Sequence, residues 1–286
     1  MITTIDSPTR VTLALDIVRR LDDGPLRGYH ELGIVKHQIA LADTLRFEPL
    51  GRGGADVVEC SDERVPRDGG NICVRACRLL RERFGRGDFF RIDIEKRIPV
   101  MGGLAGGSAN AAATLRALDS IWGLGLTREQ FTELGRQLGM DVPFFFTGGT
   151  AFDSEATGVL KAIDTNLKFQ IILAVPDLGV STKEAYGSID YGRIGQNAPL
   201  TNRMIETLRD NDFEFAVRCM HNDFELSIFH DYPRLREIRD KLLKEGCAAA
   251  CMSGSGSTIM GIAADKPSAQ KIAGSIDCLT IITETL

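Results

Sequence analysis

The sequence predicts an α+β protein of two lobes, on three observations. Strand-like and helix-like segments mix along the chain without regular β-α-β alternation, which sets aside a doubly wound parallel sheet. The length of 286 residues is long for one domain and short for two large ones, so two modest lobes fit it. Hydrophobic residues make up 43% and charged residues 26%, ordinary values for a globular chain with a full core. The change of lobe is expected near residues 150–175, and we place the two segments at 1–160 and 161–286.

The elements follow in order. Residues 11–18 (VTLALDIV) alternate and are rich in β-branched side chains, which reads as a strand. Lys36 to Phe47 continues as strand, and Phe90–Glu95 (FRIDIE) alternates cleanly. Between them Asn71–Phe84 (NICVRACRLLRERF) places Ile72, Ala76, Leu79 and Leu80 on one helical face, with Gly85 as a stop. A glycine-rich loop, Gly102–Gly107, leads into a small-residue helix running toward Trp122. Thr127-Arg128-Glu129-Gln130 is a capping box for the next helix, which Gly139 ends. Phe169–Val175 is a short apolar strand. Pro233 opens a helix with Leu235, Ile238 and Leu242 inward and Gly246 closing it. Thr258–Ile262 and Thr280–Thr285 finish as strands.

The bulk chemistry narrows the function. A formal net charge of −5 argues against nucleic acid or an anionic membrane as the main partner, since both favour a basic face. No stretch approaches about 18 uninterrupted apolar residues, so no spanning helix is expected. The first twenty residues show no charged region followed by an apolar run, so no signal peptide is expected and the cytoplasm is the expected compartment. Seven cysteines are scattered, and none of the four histidines stands at zinc-ligand spacing beside Cys73/Cys77 or Cys247/Cys251. They read as small buried thiols in a reducing compartment.

Four segments carry chemistry. In Pro99-Val100-Met101-Gly102-Gly103-Leu104-Ala105-Gly106-Gly107-Ser108, glycines crowd directly before a helix. Backbone N–H groups there can converge on an anion, with the helix dipole in support, as a triphosphate requires. No Gly-Lys-Ser/Thr follows, so it is not a Walker A loop, and the glycine spacing is not that of a dinucleotide fold. Asp141, in Gly139-Met140-Asp141-Val142-Pro143, follows a helix end and precedes a proline and an apolar Phe run. That is the setting of a general base or of a solvated turn former. Met252–Thr258 (MSGSGST) sets two glycines among hydroxyls before an apolar strand, which reads as a phosphate-approaching loop or a linker. Gly28-Tyr29-His30 offers a stacking face and a directional hydrogen bond for a nucleobase, or a tyrosine packed at a strand start.

In this order and at these separations the segments resemble the GHMP kinase superfamily. The N-terminal strand Ser7–Leu13, the loop Gly102–Ser108 and Met252–Thr258 stand as its three motifs. Within it the chain is most similar to the 4-diphosphocytidyl-2-C-methyl-D-erythritol kinases of the non-mevalonate isoprenoid route. The specific marks are Gly28-Tyr29-His30, Lys96-Arg97-Ile98-Pro99, Met140–Phe144, Gly179-Val180-Ser181-Thr182 and His221–Glu225. The resemblance implies an N-terminal lobe like ribosomal protein S5 domain 2, which binds ATP, and an α/β C-terminal lobe, with the active site between them. It implies an enzyme, a phosphotransferase that uses ATP and Mg²⁺ to phosphorylate an alcohol. The nucleotide contacts it implies are Pro99, Gly102, Gly103, Leu104, Ala105, Gly106, Gly107, Ser108 and Asn110, with Ser108 also toward the metal. It implies Asp141 as base and Arg10 beside it, and substrate contacts from Thr12, Tyr29, His30, Thr182, Tyr186, Gly254, Ser255 and Gly256. A small-molecule substrate, no nucleic acid, no membrane, and a monomer or homodimer complete the expectation.

The chain departs from the family pattern at the first motif, which usually reads Pro-Ala-Lys-Ile-Asn and here reads Pro8-Thr9-Arg10-Val11-Thr12. Arginine keeps the charge but is planar and bulkier than lysine. Ala105 and Ala109 stand where relatives usually have Gly and Ser, and Leu21–Arg27 is longer than usual. Three readings follow: the same substrate, another small or phosphorylated alcohol, or a ligand-binding relative that catalyses poorly.

Overall fold

The computed structural model describes residues 2–286. Its first half runs β1 (Thr3–Arg20), β2 (His30–Arg52), β3 (Val57–Cys60), α1 (Ile72–Phe84), β4 (Asp88–Glu95), α2 (Gly106–Trp122), α3 (Arg128–Leu138) and α4 (Phe144–Thr147). It continues with β5 (Thr150–Glu155), β6 (Leu160–Ile163), β7 (Gln170–Val175), α5 (Thr182–Gly187), α6 (Ala198–Arg209), α7 (Phe213–Arg218) and β8 (His221–Asn222). α8 (Glu225–Asp231), α9 (Pro233–Lys244), β9 (Ala249–Met252), β10 (Ile259–Ala263), α10 (Lys266–Ala273) and β11 (Leu279–Glu284) complete it. Strands and helices mix as an α+β chain, and no described helix is long and apolar enough to cross a membrane.

The contacts gather the chain into two compact units. Unit 1 is the chain up to Thr9 with Leu41–Val100 and Ala105–Thr147; unit 2 is Arg10–Ala40, Met101–Leu104 and Gly148–Leu286. These units interleave along the sequence, whereas the expected segments 1–160 and 161–286 are contiguous. The physical reason is strand length: β1 has 18 residues and β2 has 23, and each gives residues to both units.

In unit 1 the second part of β2 pairs antiparallel with β4, Thr44 opposite Glu95, and β3 adds in parallel to β4. α1 packs on this unit with an Asn71 cap whose side chain accepts Cys73 N–H at 2.8 Å, and ends at Gly85 with φ 61°. Its buried side is Cys73, Val74, Ala76, Cys77 and Leu80. The face is therefore rotated from the expected one, since Ile72 and Leu79 are only half-buried. The thiols take the core positions because they behave as small apolar groups, and no described cysteine is in a disulfide.

Unit 2 contains an antiparallel four-stranded sheet in the order β11-β7-β10-β9. Fully buried Ile172, Ala174, Met252 and Ile259 join Leu235, Ile238 and Leu242 of α9 in one core. The first part of β2 pairs with β5, and β8 lies parallel to β1 with Ala14 opposite His221. The alternation read in residues 11–18 does not leave a wet face, because Thr12 and Asp16 are each 1% exposed. Both are satisfied internally: Asp16 Oδ1 lies 2.9 Å from His221 Nε2, and Thr12 joins the network described next.

Candidate active site

In unit 1 the chemistry gathers at the start of α2. Ala105 caps the helix in the left-handed conformation (φ 55°), and no side chain caps its first amides. The first turn of any helix leaves N–H groups without intrahelical acceptors. Here the turn is Gly106-Gly107-Ser108, exposed or half-buried, so those donors and the positive end of the dipole stand ready for an anion.

Asp43 braces this turn from β2. Its carboxylate is 0% exposed and lies 3.0 Å from Lys96 Nζ. It accepts the N–H groups of Arg97 and Ile98, both at 2.8 Å, and the side-chain amide of Asn110 at 3.0 Å. Lys96 Nζ also donates to the carbonyl of Ile98, and burial pulls its pKa down while Asp43 pushes it up. A single buried carboxylate thus ties the Lys96–Pro99 segment to the first turns of α2. Asn110, expected as a nucleotide contact, is 4% exposed with its amide committed to Asp43.

Asp141 sits in the turn between α3 and α4. Thr127 and Gln130 form the expected reciprocal box at the start of α3. Gly139 ends the helix in an extended conformation (φ 175°). Val142 N–H then bonds to Gly139 O at 3.2 Å, and Val142, Phe144, Phe145 and Phe146 are buried. Arg116 Nη2 donates to Phe145 O at 2.8 Å. The half-buried Asp141 is thereby held in direction by an apolar plug rather than carried on a mobile arm. A Cβ built on Gly139 would lie 3.9 Å from Ser108 Oγ, so the Asp141 turn adjoins the first turn of α2.

In unit 2 Arg10 and Thr12 of β1 meet the loop Met101–Leu104 and the Ser253 segment. Arg10 Nη1 donates to Gly103 O at 2.7 Å and to Thr12 Oγ1 at 3.3 Å. Ser253 Oγ donates to Gly103 O at 3.2 Å and accepts Thr12 N–H at 3.3 Å. Arg10 is 5% exposed; its long planar head spans from β1 to a loop carbonyl, a reach that gives the departure from lysine a structural use. Gly103 is forced by this close approach. Its φ is 71°, and a Cβ there would lie 2.8 Å from Gly256 O and closer still to Ser253 O.

Asn222 holds the Ser253 segment from behind, its Nδ2 donating to Met252 O and Gly254 O, each at 2.7 Å. Met252 N–H bonds to Glu225 at 2.6 Å, and Thr182 Oγ1 lies 3.4 Å from Ser255 Oγ.

The predicted aromatic set is only partly gathered. His30 lies 5.0 Å from Tyr186, ring to ring, and Tyr186 packs edge-on against Phe224. Tyr29 is 53% exposed and has no ring partner among the described residues. In its place Tyr191 stacks on His30 at 5.9 Å and 20°, with its hydroxyl 2.9 Å from His30 Nε2. Burial, and secondarily the charge of Arg20, lowers the His30 pKa and favours the neutral ring. The segment Leu21–Arg27 is a closed loop, pinned by Leu21 N–H to Tyr29 O and Gly28 N–H to Leu21 O, both 2.8 Å.

Sequence reasoning missed Asp43, Ser253, Asn222 and Tyr191 as members of these networks. The first three act through backbone groups brought near by folding. Tyr191 has a local signal, standing five residues after Tyr186 in a loop.

Comparisons with known proteins identify the family. The sequence model of the GHMP kinases N terminal domain matches residues 71–149, and that of the GHMP kinases C terminal region matches 204–278. The 4-diphosphocytidyl-2-C-methyl-D-erythritol kinase of Bacillus cereus (strain B4264) is 35% identical over 258 residues, covering 90% of this chain and 87% of that protein. The kinase of the same name from Bacillus cytotoxicus is 36% identical over the same coverage. The crystal structure of a 4-(cytidine 5'-diphospho)-2C-methyl-D-erythritol kinase superposes with a TM-score of 0.83 at 28% identity, over 99% of both chains. A homoserine kinase from Cytophaga hutchinsonii shares the fold, with a TM-score of 0.78 at 17% identity over 99% of this chain and 94% of its own. This chain belongs to the GHMP kinase family, within its group of 4-diphosphocytidyl-2-C-methyl-D-erythritol kinases.

Proposed function

We propose that this chain is a cytoplasmic kinase that transfers the γ-phosphoryl group of ATP to a hydroxyl of 4-diphosphocytidyl-2-C-methyl-D-erythritol, in non-mevalonate isoprenoid precursor synthesis. The observation that carries the reading is in unit 1. The uncapped first turn of α2 adjoins a rigid turn bearing Asp141, so an anion-binding set and a carboxylate base are supplied together.

Phosphoryl transfer needs positioning and charge support more than covalent chemistry. The amides of Gly106, Gly107 and Ser108 would hold phosphate oxygens, with Pro99 and Asp43 keeping the approach to the helix in place. Asp141 would take the proton from the acceptor hydroxyl. Arg10 would fix Gly103 in place. His30, Tyr186 and Tyr191 offer a neutral stacking set suited to a pyrimidine, and Thr12, Thr182 and Gly254–Gly256 offer backbone and hydroxyl groups to the rest of the acceptor.

The residues fit Mg²⁺ carried on nucleotide phosphates. No three His, Cys, Asp or Glu side chains gather as a metal cage among the described residues, and the half-buried Ser108 hydroxyl is a hard oxygen donor at the phosphate-binding turn. When bound, the ion supplies charge neutralisation on the transferring group.

The test is Asp141→Asn. Loss of the base lowers turnover by roughly 10²–10⁴-fold while ATP affinity stays near wild type. Turnover close to wild type would overturn the assignment.

A further inference from the structure

Unit 2 contains a cavity of about 360 Å³ that none of the residues assigned above to phosphoryl transfer lines. Its volume lies within the range of small-molecule pockets and exceeds what one inorganic anion fills. Leu226 and Phe229 of α8 give it an apolar wall, and Asn222 and Glu225 form a polar one.

Charge distinguishes it. Arg193, Arg236 and Arg239 all line the cavity, in a chain whose net charge is −5. The site therefore reverses the sign of the whole molecule. Neighbouring surface arginines are neutralised in place: Arg234 lies 3.1 Å from Glu237 and Arg203 lies 3.1 Å from Glu206. Arg193 and Arg236 have no carboxylate partner among the described residues. Arg239 is paired with Asp240 at 2.7 Å and lies over the Phe229 ring, 5.0 Å from its centre, so the uncompensated charge of the cavity rests on Arg193 and Arg236. The one carboxylate on the wall, Glu225, lies 3.4 Å from Arg239, and burial pushes its pKa up to about 7. At neutral pH it is about half ionised and offsets part of the charge of Arg239 alone.

We propose that this cavity binds a phosphorylated small molecule, a phosphate monoester or a diphosphate, with the anion on Arg193, Arg236 and Arg239 and the apolar remainder against Leu226. Guanidinium groups recognise phosphate oxygens bidentately, and the two uncompensated ones, Arg193 and Arg236, make a dianion the matching charge. The occupant shares its walls with the acceptor loop. Asn222 and Glu225 face the cavity and also hold Met252 and Gly254 through hydrogen bonds of 2.6–2.7 Å.

The experiment is isothermal titration of pyrophosphate, and in a second arm inorganic phosphate, into the full chain saturated with a non-hydrolysable ATP analogue. Saturation removes the helix α2 turn as a competing anion site. We expect one further pyrophosphate to bind, and more tightly than phosphate. The double variant Arg193→Gln/Arg236→Gln should weaken it by at least about tenfold, each lost charged contact being worth roughly that factor. Arg234→Gln, at a residue paired with Glu237 that does not line the cavity, should leave it unchanged. Absence of any pyrophosphate binding, or equal affinity in the double variant, overturns the proposal.

Discussion

Replacing Gly103 by alanine tests how the loop is held. The new Cβ meets backbone carbonyls of Ser253 and Gly256, which cannot rotate away as a flexible side chain would. The left-handed φ of 71° adds a strain of about 1–2 kcal/mol for any residue with a Cβ. The loop relieves both by withdrawing. The Gly103 carbonyl then leaves Arg10 Nη1 at 2.7 Å and Ser253 Oγ at 3.2 Å. A charged hydrogen bond contributes about 1.5–3 kcal/mol and a neutral one about 1. A displacement of about 1 Å in a positioning element costs on the order of 10² in rate. Gly103→Ala should therefore lower kcat/KM about a hundredfold, read by ADP release, while the thermal melt stays cooperative. Gly54→Ala is the control, since nothing lies within 4 Å of its Cβ and its φ is not positive. A Gly103→Ala enzyme within about threefold of wild type would refute the reasoning.

Two further outcomes follow from named contacts. Asp43→Asn leaves the buried ammonium of Lys96, 6% exposed, without its counter-charge and should destabilise unit 1 by about 3–5 kcal/mol. Urea unfolding reads this, and adding Lys96→Met should return part of the loss; a change below about 1 kcal/mol would show the pair contributes little. Tyr191→Ala removes the ring stacked on His30 and should raise KM for a cytidyl acceptor about tenfold, in line with base–aromatic stacking of roughly 1–3 kcal/mol. KM for ATP should not move, and an equal rise in both would refute a role in the acceptor.

Much of the fold was legible because local rules and tertiary needs agreed. The Thr127 box, the inward Leu235, Ile238 and Leu242, and the stop at Gly85 all stand as read. β3, β6 and the short helices α5 and α7 were not read, since segments of 4–6 residues show too few periods to declare themselves; the 12-residue α6 also went unread, because threonines Thr201 and Thr207 occupy two of its buried positions. The face of α1 was misplaced because its core positions are cysteines, which hydrophobic counting undervalues.

In the site, the glycine loop and Asp141 were visible as punctuation around helices. The anchoring of Gly103 was not, because it depends on Arg10, Ser253 and Gly103 meeting, with Gly103 and Ser253 about 150 residues apart in sequence. The exposure of Tyr29 was likewise invisible, since a Tyr-His pair looks the same whichever ring turns inward.

The central claim is tested most directly by ADP release from the purified chain with ATP and Mg²⁺, comparing 4-diphosphocytidyl-2-C-methyl-D-erythritol with a panel of other alcohols, mevalonate and homoserine among them. We predict turnover chiefly on the cytidyl compound, with Arg10 and Thr12 serving the same substrate as the relatives' lysine and asparagine. Turnover on another alcohol instead, or nucleotide binding with no ADP released from any of them, would contradict it.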